Sequence, residues 1–239
     1  MRLDALPRTV DAPLSPGEVH FLWWFIQGSI MEPETRRRLS RAWGMCERHG
    51  VGALAAEAAF RHGYLHGPAI LYADLMARAA RAFELAGPFA GERLARRLRS
   101  RGPCLMCELG FGPDSESFIS RERVEAGRDL SHIRALLTRL ERHWRGTVCG
   151  RCAGSRAQPR CRVHLIEELG NDPFLDLEPH RSLVYSILEH VERYDASFRW
   201  EMQGSDTAED RASLVSAAGW CSGWGALLSC VERPYRGQA

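Results

Sequence analysis

Cys149-Gly150-Arg151-Cys152, followed eight residues later by Cys161-Arg162-Val163-His164, is the stretch from which this chain has to be read. A pair of soft donors two residues apart can aim both at one ion from a tight turn or the first turn of a helix. Two such pairs close a four-coordinate shell. The surrounding segment, Gly146 to Arg160, is rich in Gly, Arg and small residues and has little hydrophobic content. A loop of that composition keeps a fixed shape best when metal staples it. Cys161 and His164 fall at the start of a predicted helix, where the backbone dipole favours thiolate charge.

Two further pairs lie upstream, Cys46-x-x-His49 and Cys104-x-x-Cys107. With the first two they make eight ligands, enough for two tetrahedral zinc sites and two Zn2+ ions per chain. Spacing alone does not match distant pairs. The expected grouping is Cys46, His49, Cys104 and Cys107 in one site and Cys149, Cys152, Cys161 and His164 in the other. The competing grouping joins Cys104 and Cys107 to Cys161 and His164. Iron–sulfur clusters usually take all-cysteine shells, and no compact four-cysteine run is present. A thioredoxin-like C-x-x-C needs a βαβ context that is missing here.

Between these pairs the apolar residues recur with helical spacing, so the fold class expected is mainly α: an irregular helical bundle with two zinc-stapled loops. The two C-x-x-H units, each near a helix start, suggest a degenerate duplication. Ser15-Pro16-Gly17-Glu18 reads as a capping box with proline at the first helical position, opening a helix toward Ile30. Pro33 starts a second helix that ends near Trp43, with Gly44 as its cap. Helices are expected over 51–62, 68–86, 88–100, 128–145, 161–169, 178–193 and 207–231, with a polar loop at Gly110–Ser120. The expected division is an amino-terminal helical unit, 1–102, and a zinc-loop and carboxy-terminal helical unit, 103–239, with one continuous domain as the alternative.

The chain has 239 residues, 45% of them hydrophobic and 26% charged, with a formal charge of +2. That is an ordinary globular composition without a global drive toward nucleic acid or anionic membrane. All 32 basic residues are arginine. Without lysine there is neither a Walker A loop nor a Schiff-base nucleophile. G-x-G-x-x-G, H-E-x-x-H and G-x-S-x-G are also absent. No apolar run is long enough to span a bilayer, and the amino terminus has no signal-peptide pattern. Cysteines arranged as x-x pairs with histidines point to reduced thiols in the cytoplasm.

Other conspicuous residues have bland readings. His62 and His66 lie four apart but next to glycines and without an acidic partner in sequence, so they read as surface residues. Cys221 and Cys230 read as core. Phe21-Leu22-Trp23-Trp24-Phe25 is apolar on all sides of its helix and reads as buried. Arg36-Arg37-Arg38 and the arginines of 93–101 lack interleaved aromatics and read as a solvated face rather than a nucleic-acid surface.

The combination Gly44-Met45-Cys46-x-x-His49, Cys104-x-x-Cys107 and Arg193-Tyr194-Asp195-x-x-Phe198-Arg199 resembles a bacterial family of uncharacterised cysteine-pair proteins. Its members carry C-x-x-C followed by G-F-C-x-x-H, often duplicated, and end in a helix leading to an F-D-Y-R-like segment. This chain lacks the C-x-x-C expected ahead of Cys46, where residues 20–25 stand instead, and adds Cys149 and Cys152. The resemblance implies metal and helices and carries no activity. The functional expectation is therefore a zinc-binding adaptor or regulator with a protein partner, and neither nucleic acid nor membrane. Two alternatives stay open: a metal enzyme with one open site and Glu167, Glu168 or Asp195 as acid or base, and a thiol or metal redox sensor.

Overall fold

The computed structural model describes residues 11–60, 64–85, 87, 89–155 and 159–232, and among these there is no strand. The helices are α1 (Pro16–Ile26), α2 (Pro33–Ala42), α3 (Glu47–Phe60), α4 (His66–Phe83), α5 (Ala90–Leu98) and α6 (Leu105–Glu108). They continue with α7 (Arg121–Arg128), α8 (Ser131–Trp144), α9 (Arg162–Asn171), α10 (Glu178–Ala196), α11 (Ala208–Ser222) and α12 (Gly225–Glu232). No helix among the described residues is long and apolar enough to cross a membrane.

Local chemistry sets the helix ends. The Glu18 amide donates to Ser15 Oγ (3.1 Å), and the Ser15 amide donates to Glu18 Oε2 (2.7 Å), which completes the capping box of α1. Trp43 (φ 62°) and Gly44 (φ 90°) turn left-handed after α2, and the Gly44 amide closes onto the Leu39 carbonyl at 2.8 Å. That reversal delivers Cys46 to the start of α3.

α3 and α11 form the interior. Every α3 residue from Arg48 to Ala58, and every α11 residue from Ala212 to Cys221, is buried. Their small residues let neighbours approach closely. A Cβ on Gly52 would meet Leu14 at 2.9 Å, and one on Gly219 would meet the Trp224 ring at 2.4 Å. Around this pair α10 packs on α4 and α11, α8 on α11, α7 on α3, and α5 on α9. Buried side chains from Leu14 to Cys230 form one hydrophobic cluster.

Some boundaries differ from the sequence reading. The helix expected over 128–145 starts at Ser131, and a separate α7 precedes it. Asp129 Oδ1 accepts the Ser131 amide (2.8 Å) and restarts the chain as a new helix. The helix expected over 207–231 breaks at Gly223, whose φ of 114° no L side chain adopts comfortably. Trp24, expected in the core, is 46% exposed, whereas Phe21, Leu22 and Phe25 are buried. His66 has an acidic neighbour that its sequence context hid, Asp195 at 3.5 Å. His62 lies outside the described residues.

Candidate metal centres

The fold brings the eight donors together as two groups of four that can each hold a metal ion. In the first, Cys46 lies just ahead of α3 and His49 in its first turn, while Cys104 caps α6 and Cys107 lies within it. The sulfurs of Cys46, Cys104 and Cys107 lie 3.3, 3.4 and 3.5 Å from Nδ1 of His49, and those of Cys46 and Cys107 are 3.9 Å apart. In the second, Cys149 and Cys152 sit in a turn after α8 and Cys161 caps α9, with His164 in its first turn. Their sulfurs stand 3.3, 3.4 and 3.4 Å from Nδ1 of His164. The competing grouping, with Cys104 and Cys107 beside Cys161 and His164, is not what the chain adopts.

These separations are the edges of a tetrahedral shell. With bonds of about 2.3 Å to sulfur and about 2.0 Å to nitrogen, tetrahedral donors sit about 3.5–3.8 Å from one another. Both donor sets are three thiols and one imidazole, joined through Nδ1. In the first the C-x-x-H pair precedes its C-x-x-C partner, and in the second it follows.

Charge in these clusters points the same way. Hydrogen bonding with the Cys107 and Cys46 sulfurs and with His49 holds Cys104 far below the usual thiol range, and the resulting charge raises Cys46. Cys149 is lowered likewise by Cys152 and Cys161, and its charge raises Cys161 and pushes Cys152 up to about 11. Three thiolates within 4.8 Å of one another repel unless a cation sits among them, and a divalent cation deprotonates a coordinating thiol outright. Burial disfavours charge on His49, but Cys104, Cys107 and Glu18 together push it up to about 11. A metal held by these residues would take the place of that proton on Nδ1.

The first centre has a buried outer layer that the motif did not reveal. Glu18 Oε1 lies 2.9 Å from Nε2 of His49, and both side chains are fully buried. Arg48 grips the same carboxylate with two nitrogens at 2.7 Å, and its other donors reach the Ala12 and Pro13 carbonyls at 2.7 and 3.0 Å. Burial would raise the Glu18 carboxyl, but hydrogen bonds from Arg48, His49 and the Ser15 amide hold it at about 2. A carboxylate on the far nitrogen fixes the ligand tautomer and strengthens the imidazole as a donor. Glu18 sits 31 residues before His49 and reads locally as a capping acid, so only the tertiary fold exposes this role.

Around the second centre, Glu167 pairs with Arg151 and Glu168 with Arg160, each at 2.5 Å. Asp195 lies against His66. The three acid–base candidates thus each sit beside a basic side chain. Cys221 and Cys230 belong to neither donor group, and burial pushes them up to about 12 and about 11. None of the eight cysteines is bridged. No known protein family, curated protein or solved structure matches the chain.

Proposed function

We propose that this chain is a zinc-stapled helical protein of the bacterial cytoplasm that works by binding a protein partner, as an adaptor or regulator. One observation carries the reading: each donor group supplies four protein ligands, the full complement of a structural zinc site, where a catalytic site keeps a position for water. The buried Glu18–Arg48–His49 network supports it, because it fixes the first ligand set from behind rather than opening it to solvent. Unbridged cysteines fit a reducing compartment. Large exposed side chains, Phe118, Phe174 and Trp200 among them, are the kind that a partner surface would cover. The short cysteine-pair motifs are the basis for placing the chain near the uncharacterised bacterial family.

Elemental analysis with X-ray absorption on the purified protein tests this. The expected result is two zinc ions per chain, each bound by three sulfurs and one nitrogen. Iron with acid-labile sulfide, or a shell containing a water oxygen, overturns it, and the latter favours a metal enzyme. The sensor alternative has one observation of its own. Cys152 is only partly buried and borders a hollow of about 430 Å3 shared with Val148, Gly225 and Leu228. Release of the second ion alone by mild peroxide would favour that reading.

A further inference from the structure

Besides the two donor groups, α2, α4, α5 and the segment after α5 form a hollow of about 520 Å3 lined by Ser40, Arg41, Arg78, Arg81, Arg97 and Arg101. Several arginines elsewhere are paired with acids: Arg38 with Glu108, Arg48 with Glu18, Arg151 with Glu167, Arg160 with Glu168. Among the described residues, none of the five arginines of this hollow forms an ion pair. Three of them donate to backbone carbonyls instead. Arg78 donates to Ser40, Arg41 reaches the Arg101 carbonyl at 3.4 Å, and Arg97 the Arg81 carbonyl at 3.5 Å. A neighbouring hollow shares Arg41 and Arg101 and contains Glu34 and Glu108, but those acids pair with Arg37 and Arg38.

Further features make this more than a solvated arginine face. The Arg78 guanidinium is half-buried and lies 4.0 Å over the Trp43 ring, which holds it flat. Behind it, buried Arg162 stands 5.4 Å from the same ring and donates to the Leu98 and Cys221 carbonyls at 2.9 Å. Burial lowers Arg78, and the charges of Arg101 and Arg81 lower it further, so the like charges are felt across the hollow. A concave wall of one sign focuses potential on its interior. Guanidinium forks match phosphate oxygens two at a time. The volume is that of a small-molecule site. Ala82 is the lone apolar side chain of the lining, so there is no platform on which a base or ring would stack.

We propose that this hollow is a binding site for a small, multiply charged phosphate compound of the pyrophosphate class, recognised through its phosphoryl oxygens alone. None of the eight metal donors lines this site.

Calorimetry with inorganic pyrophosphate on the full-length, metal-loaded protein tests it, with metal content measured before and after. The expected result is saturable binding that weakens with salt, and that weakens about tenfold or more in Arg97→Gln and in Arg81→Gln, each of which removes a charge-assisted donor from an exposed side chain. Arg121→Gln, which alters an exposed arginine paired with Glu125, should bind as the unaltered protein does. The proposal is overturned by absence of saturable binding at low salt. Equal weakening by Arg121→Gln also overturns it. So does heat that tracks loss of metal rather than the arginines, or displacement of pyrophosphate by a short single-stranded oligonucleotide at lower concentration than by pyrophosphate itself.

Discussion

One imidazole, that of His49, faces three thiols with Nδ1 and the Glu18 carboxylate, 2.9 Å away, with Nε2. The acid that caps α1 is thereby joined to the first donor group, and helix start and metal ligand share one buried network. Glu18→Gln should weaken metal binding at that centre by about 10–100-fold and leave the second unchanged. Competition with a chromophoric chelator, resolving two affinities, measures it. The substitution also strands the buried Arg48 charge, which costs about 3–5 kcal/mol, so circular dichroism has to show that the helices persist. Equal weakening of both centres would show that the effect is global.

His49→Ala should remove one ion per chain and loosen residues 15–60 and 64–85, because the first centre joins positions up to 61 residues apart. In the loop-entropy estimate a link of that span is worth about 4 kcal/mol. Hydrogen exchange with metal content measured in parallel reports both effects. Loss of protection centred on 149–155 and 159–170 would contradict the grouping.

Cys152→Ser should lower the melting temperature more than Cys221→Ser. The first removes a donor from a segment without a core of its own. The second changes one small, fully buried group in α11. Thermal melts of the two variants compare them directly, and a less stable Cys221 variant would reverse the division of the cysteines.

Asp210 gives a pH signature. Burial would raise its carboxyl, but His190 Nδ1 at 2.7 Å and the Thr207 amide and hydroxyl at 2.9 and 2.8 Å hold it below the ordinary carboxylate range. A carboxyl lowered in the folded state stabilises above its unfolded value of about 3.9, and that contribution is lost as pH falls through the lower folded value. Asp210→Asn should therefore cost about 1 kcal/mol at pH 7, and its deficit relative to the unaltered protein should shrink below about pH 4. Denaturant titrations of both proteins from pH 7 to 3 test this. Metal release at low pH affects both alike.

The donors were legible because C-x-x-C and C-x-x-H impose their geometry locally, within one turn of chain. Their grouping was expected as the fold has it, but spacing left a competitor open, since the choice depends on how α3 and α6 come together across the intervening helices. Glu18 escaped for a related reason: a capping box already accounts for a glutamate at the third helical position, and nothing local announces a second task. A continuous helix was expected over 207–231, although Ser222-Gly223-Trp224-Gly225 is poor in helix formers. Only the fold-back of Trp224 onto Gly219 shows that the break is required. The arginine hollow was hidden too, because its members come from four separate segments and each reads alone as a solvated charge.

The two centres differ in the span of chain they gather. The second collects its donors within 15 residues, the first across 61. In a chain made from its amino end, Cys46 and His49 emerge without partners and wait through three helices for Cys104 and Cys107. Cys149 and Cys152 meet theirs almost at once. Short loops close in well under a microsecond, whereas bringing distant segments together depends on prior collapse. One ion therefore acts as an early local clasp, and the other as a late latch that sets only after α3, α4 and α5 have found their places.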